Sequence, residues 1–376
     1  MTTTLITPLI VAREALITLE NNMVMGGLVH RAYEKEYKSI GATVVVRKPT
    51  TFTATAFTST VGYSTITESS VAVILNQHWD VSFEVTSQEL SLDVTDFTEQ
   101  FLEPAGRAIA QAVDSTIFSL AGTAIAAHYP VSSTPAVSDI AGIGAVMDVM
   151  KVPMSQRRHV FHPITQAGYI SLDAFLNANK RGDGPRALRE AELGRVLGFD
   201  TYMDQNVNRI TTALDNTSTA VLQGTLTAAG TAAGTQLRVD LGGTSEVISV
   251  GDIFKITGYD EWHVITTEST LSASGTGLVN FSPATVGAYA SGSTVTFQGD
   301  HKSNLAFHKN AFALVSAPLA PPIGGAKAAV VSHNGLSCRV VYGYDQQYKK
   351  NQISVDFLCG FKVLDKDLAA RLCDTR

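Results

Sequence analysis

The chain predicts an α+β fold that carries a separate all-β block, and three stretches say so. Residues 99–127 place Leu102, Ala105, Ile109, Val113, Ile117, Leu120 and Ala124 at three- and four-residue steps, the spacing of one helix face. Val81, Phe83 and Val85 alternate with Ser82, Glu84 and Thr86, the period of a half-buried strand. Residues 217–300 are rich in Thr, Gly, Ala and Ser and hold short β-prone runs, which suggests a small barrel or sandwich. The chain has 376 residues, of which 45% are hydrophobic and 16% charged, enough for two or three subdomains.

At the N-terminus, Thr7-Pro8 reads as a cap and first helical residue, opening a helix to about Asn21. Gly26-Gly27 breaks it, and a second helical piece runs through HRAYEKEY. With the strand Val44–Val46, residues 1–48 read as an arm and a first strand. Residues 49–70 follow, with twelve Ser or Thr and Glu68 as the sole charge. Phe52, Phe57 and Tyr63 alternate there with small polar residues, as in a β-ribbon that leaves the body and lies on something else. An ordinary surface hairpin is the plainer alternative. Val71–Thr86 returns as strand.

The helix 99–127 would run about 40 Å. Pro104 sits in its opening turn, where it does least harm. Arg107, Gln111, Asp114 and Ser115 fall on its polar side, which Phe118 and Ile125 interrupt. Those two are expected to meet either the chain's own returning strands or a neighbouring subunit's loop, and with Phe52, Phe57 and Tyr63 they are the candidate subunit-contact residues. Beyond the loop AAHYPVSSTP, Ser138 or Asp139 caps a helix Ile140–Met150 that Pro153 ends. His159–Phe161 reads as strand, Ile164–Ala178 as an amphipathic helix, Arg186–Leu193 as a short helix and residues 197–207 as a strand. Residues 217–300 hold two basic residues, Arg238 and Lys255, against seven acidic ones, so they carry a net charge of -5 out of -6 for the whole chain. That asymmetry marks an inserted domain. From Asn304 the mixed α+β pattern that precedes the insert resumes: a strand into a proline-rich turn, a hairpin on Asn334-Gly335, a strand QISVDFLCGFKVL, and a tail LDKDLAARL as a turn or helix.

Chemistry-bearing patterns are sparse. No basic stripe for gripping phosphates is visible; Arg186, Arg189 and Arg195 are interrupted by Glu190 and Glu192. Three cysteines without a CxxC pair argue against a disulfide framework or zinc knuckle and for a reducing compartment. The N-terminus lacks a signal-peptide pattern. Pro318, Pro321, Pro322 and Lys327 disqualify the apolar run 311–331 as a membrane span. His159 and His162 lack a third metal ligand, and no nucleophile elbow, phosphate-binding loop or HExxH is present. Gly142-Ile143-Gly144 lies inside a helix, Arg181-Gly182-Asp183 in a turn that needs its glycine, and Trp262 and His263 read as packing and surface residues. The expectation is therefore no catalytic residue, no metal and no cofactor. An arm, a projecting ribbon and an insert without a reactive cluster point to assembly of copies.

Three stretches carry a family resemblance: VLGFDTYMDQNV at 196–207, SVGDIFKITGY at 249–259, and the closing run AFALVSAPLAPP, HNGLSCRVVYGYD and ISVDFLCGFKVLDKDLAARL. With the order of parts, they make the chain resemble the major capsid (coat) proteins of tailed bacteriophages, which have the Hong-Kong-97-type fold. Within that family it looks most like the P-twenty-two-like coat proteins with an inserted β-domain. The resemblance implies an N-terminal arm and first strand (1–48), an extended loop (49–70) and a peripheral domain (71–160) with spine helix 99–127. It also implies an axial domain (161–216), the inserted β-domain (217–300), and a return through axial to peripheral domain (301–376). It further implies hexamers and pentamers of an icosahedral shell, assembled in the host cytoplasm and ending as the virion capsid. The implied partners are a scaffolding protein, a portal protein, an optional decoration protein and weakly held, sequence-independent double-stranded DNA, with no membrane. Residues 49–70 contain no lysine, so the lattice is expected to be non-covalent, unlike that of relatives that crosslink a loop lysine. The alternatives are an encapsulin-like nanocompartment shell protein, a β-rich adhesin or carbohydrate-binding protein, and a hydrolase with an unrecognised site.

Overall fold

The computed structural model describes residues 7–31, 43–47, 70–85, 98–131, 134–177, 190–212, 222–242, 247–259, 261–322, 327–345 and 350–375. In chain order these form α1 (Pro8–Asn22), α2 (Met25–Leu28), β1 (Thr43–Arg47), β2 (Ser70–Ile74), β3 (Gln77–Val85), α3 (Glu103–Ala124), β4 (His128–Val131), α4 (Val137–Val149) and β5 (Arg157–Phe161). Next come α5 (Pro163–Ile170), α6 (Asp173–Leu176), β6 (Arg195–Val196), β7 (Phe199–Met203), β8 (Arg209–Ile210), β9 (Leu222–Leu226), β10 (Gln236–Asp240), β11 (Val247–Ile248) and β12 (Ile253–Ile256). The last are β13 (Trp262–Thr267), β14 (Ser269–Thr270), β15 (Thr276–Ser282), β16 (Thr294–Phe297), β17 (His301–His308), β18 (Phe312–Ser316), β19 (Lys327–His333), β20 (Leu336–Asp345), β21 (Lys350–Val363) and β22 (Ala369–Asp374). The fold is mixed α+β and divides into two compact units, residues 1–113 with 312–364 and residues 114–311 with 365–376.

In the first unit, β18, β21, β20 and β19 form a sheet, with β3 also paired to β21. Helix α1 packs on β19 and β20 and buries Val11, Ala12, Ala15, Leu16 and Leu19. Asn334 and Gly335 take the left-handed backbone that a two-residue hairpin turn requires, and Asn334 Nδ2 donates to Glu20 Oε1 at 2.7 Å. The first helix of the expected arm thus packs into this unit's core. Strands β1 and β2 pair antiparallel, with Arg47 opposite Ser70; residues 48–69, which include the expected ribbon, lie outside the described residues.

Helix α3 crosses the division between the units. A π-helical turn, Thr98–Leu102, precedes it, and it ends at Ala124 rather than at residue 127. The reason is β-pairing: the Ala127 carbonyl already accepts from Arg371 N at 2.8 Å, which draws the chain out into β4. Leu102, Ala105, Ile109, Val113 and Ile117 are buried as their spacing predicts. Asp114, expected on the polar side, is also buried and shares a hydrogen bond with Asp204, whose carboxyl burial pushes up.

The second unit holds a mixed sheet in the order β4-β22-β17-β5-β7-β6, with β8 on β17. Four expectations change here. The tail opens as expected with a helical turn, Lys366–Leu368, but Ala369–Asp374 then form a buried strand, β22, between β17 and β4. The predicted helix 164–178 splits into α5 and α6, and His162 Nδ1 caps the first by accepting from Ile164 N at 3.2 Å. Helix α4 starts a few residues before the predicted Ile140: Ala136 is its cap, and Asp139 Oδ2 accepts from Ala136 N at 2.8 Å. Residues 197–207 are not one strand, because Leu197-Gly198 turns the chain between β6 and β7. Strands β10-β15-β13-β12-β16-β9 close into a barrel over Phe254, Phe281 and Phe297. In chain order the barrel lies between β8 and β17, both strands of the mixed sheet.

Candidate self-association surface

Helix α4 reads VSDIAGIGAVMDV and is apolar almost all round, the pattern of a helix covered on more than one side. Ile140, Ile143 and Met147 enter a core with Phe161, Tyr169 and Phe199. Gly142 admits the Tyr129 ring, which a Cβ would strike. The opposite face is uncovered in the protomer: Ala141 and Ala145 are exposed, and Val149 is 82% exposed. Beside it stand Met154, 73% exposed, and Leu197, 56% exposed. Ala141, Gly144, Ala145, Met154 and Leu197 line a shallow depression of ≈ 230 Å³. On the other flank of α4 lies an apolar cleft of ≈ 620 Å³, walled by Ala127, Val146, Met150 and Trp262.

The charges at this surface are balanced. Arg157 pairs with Asp148 at 2.7 Å and donates to the Val152 and Pro153 carbonyls at 2.5 and 2.9 Å. Leu197 has φ 46° and Gly198 φ 88°, and together they form the two-residue turn from Val196 to Phe199. Such a turn favours Asn-Gly. A leucine there costs about 1 kcal/mol in backbone conformation and also exposes an apolar side chain. Local stability explains neither choice.

The residues singled out from sequence fare differently. Phe52, Phe57 and Tyr63 lie outside the described residues. Phe118 and Ile125 are buried inside the protomer, so they present no side chain to a second copy and are corrected to core residues. His159 and His162 make no metal pair. His159 is enclosed beside Phe161 and Phe199, and burial drives its pKa down to about 3. His162 caps α5. His263 is buried against Phe254 and Phe281 of the barrel, a packing residue. Among the described residues no group of three His, Cys, Asp or Glu is arranged to hold a metal ion, and no helix is long and apolar enough to cross a membrane. Cys338, Cys359 and Cys373 are buried free thiols, each pushed up by desolvation. Sequence reasoning missed Ala141, Val149, Met154 and Leu197 as a surface, although the missing polar face of α4 was a signal for it.

No family model and no curated protein matches the chain. Solved structures resemble it distantly. A chain from Mycobacterium phage Che8 shares 14% identity over 93% of this chain and 90% of that one, with a TM-score of 0.49. A chain of the capsid of cyanophage P-SCSP1u shares 13%, over 90% and 84%, with a TM-score of 0.49. A chain of the capsid of Ralstonia phage GP4 shares 10%, over 92% and 87%, with a TM-score of 0.49.

Proposed function

We propose that this chain is the major capsid protein of a tailed double-stranded DNA phage, a P-twenty-two-like coat protein with the Hong-Kong-97-type fold. The observation that carries the proposal is the uncovered, charge-balanced apolar face of α4, extended by a leucine in a left-handed turn. A protomer that keeps such a face is built to meet another copy. The sequence resemblance over 196–207, 249–259 and the closing strands supplies the kind of assembly, a shell of hexamers and pentamers.

In this reading α3 is the spine helix, β1 and β2 are the stem of an extended loop, and the barrel is the inserted β-domain. A scaffolding protein guides assembly in the host cytoplasm, a portal occupies one vertex, and DNA is enclosed without tight phosphate contacts. Electron microscopy of the purified chain, alone and co-expressed with its scaffolding protein, tests the proposal. Uniform closed shells are expected, and their absence under all conditions overturns it. Because residues 49–70 lack lysine, mature particles should run as single subunits on a denaturing gel, without a crosslinked ladder.

A further inference from the structure

The barrel meets the mixed sheet of its own unit through a neck crowded with titratable groups. Arg371 on β22 is wholly buried and donates Nη1 to Gly251 O, just before β12, at 3.3 Å. His301 opens β17, buried, with its ring nitrogen 2.8 Å from Gly299 O. His128 on β4 is buried edge-on to the Trp262 ring of β13, with centroids 3.7 Å apart, and Lys255 of β12 stands 5.6 Å from the same ring. Asp252 Oδ2 accepts from Ser249 N at 2.9 Å and from Thr212 Oγ1 at 3.4 Å. Asp300 accepts from Thr212 N at 2.9 Å and pairs with Arg209 of β8 at 3.3 Å. Cys373 on β22 stays a neutral thiol.

We propose that this neck is an acid-sensitive joint: proton uptake by His128 and His301, beside the charged Arg371, loosens the barrel from the sheet while each keeps its own fold. A second cation next to a buried guanidinium has no room to be solvated, so the closed neck holds both histidines neutral. Burial first, then Arg371, lowers His301 to about 4 and His128 well below its ordinary value. An opened neck restores values near 6.5. Asp252 works the other way. Burial raises it to about 6, so below that pH the closed form gains a proton that the open form lacks. Two histidines against one carboxyl leave a net uptake of roughly one proton on opening, or about a tenfold rise in the open population per pH unit between about 6 and 4.5.

Hydrogen exchange of the full chain from pH 7 to 4.5, corrected for intrinsic rates, tests this. The Thr212 amide, held in the neck by Asp300, should lose about tenfold protection per pH unit, while barrel amides of β10 and β15 and the sheet amides of Ser303 and Arg371 keep theirs. His301→Gln should flatten that slope, and Asp252→Asn, which removes the opposing uptake, should steepen it. The inference is overturned if neck and barrel amides lose protection in step, if the neck stays protected to pH 4.5, or if folded variants follow the unaltered profile. Should either variant fail to fold, the profile of the unaltered chain and the other variant still decide.

Discussion

Arg371 Nη1 donates to the Gly122 carbonyl at 2.8 Å, across 249 residues of chain. Gly122 lies in the last turn of α3, where carbonyls have no partner within the helix and the helix dipole presents its negative end. A guanidinium satisfies both. Arg371 remains charged although burial lowers its pKa to about 10. Arg371→Met keeps the bulk but leaves Gly122 O, Gly251 O and the neighbouring Asp252 without their donor or counter-charge. It should destabilise the chain by about 3–5 kcal/mol. Arg371→Lys should recover part of that. A denaturant midpoint unchanged in Arg371→Met would show that the contact contributes nothing.

His159 sets an acid limit on the second unit. Its ring is enclosed, neither nitrogen has a hydrogen-bond partner, and burial lowers its pKa to about 3. The folded state therefore binds fewer protons than the unfolded chain between pH 6.5 and 3. Stability is full above 6.5 and falls as the pH drops through that window, by roughly 3 kcal/mol at pH 4. His159→Leu should remove most of this fall. The gap between denaturation midpoints at pH 7 and 4.5 should narrow in the variant, with His128 and His301 keeping part of it, and an unchanged gap would remove His159 as a cause.

Gly360 on β21 faces the carbonyl oxygen of Ile74 on β2, and a Cβ there would run into it. Backbone cannot swing aside as a side-chain tip does. Gly360→Ala should therefore cost about 1–3 kcal/mol. The strain would appear in the cluster around Val73, Val315 and Leu358 as faster hydrogen exchange of β2 amides. Equal stability would mean that β2 can shift freely on β21.

Burial makes Phe118 and Gln111 a matched pair on one helix. Phe118→Asp places a carboxylate in the protomer core and should prevent folding of the isolated chain, before any assembly is possible. Gln111 is exposed, and Gln111→Ala should move the midpoint by less than about 0.5 kcal/mol. A soluble, folded Phe118→Asp subunit that fails only to assemble would restore the contact role.

What the sequence reveals tracks how local each interaction is. The barrel strands announce themselves as short β-prone runs between Gly- and Ser-rich turns, but closure depends on β9 meeting both β10 and β16, which no single strand encodes. The tail misleads for the same reason. Leu364, Leu368 and Leu372 are spaced like a helix face, yet β17 and β4 claim the backbone of residues 369–374 for strand pairing. Asp114 looks like a polar-face residue until Asp204 arrives from a distant loop. The exposed side of α4 was half legible: a helix without a polar face is a visible anomaly, but which side stays uncovered is set by Phe161, Tyr169 and Phe199. Leu197 was not legible, because leucine carries no preference for left-handed backbone.

That last residue gives the sharpest separation of folding from assembly. Asn tolerates φ near 46° better than Leu and hydrates the exposed turn, so Leu197→Asn relieves strain and removes apolar surface together. The isolated chain should be as stable as before or gain up to about 1 kcal/mol. On the proposed shell role, the same change should raise the protein concentration needed for assembly, and Val149→Asp, on the same face, should raise it further. Midpoints of the free subunit and light scattering of the assembly reaction read the two effects separately. Assembly that proceeds unchanged in both variants would mean that the α4 face does not join copies, whatever else does.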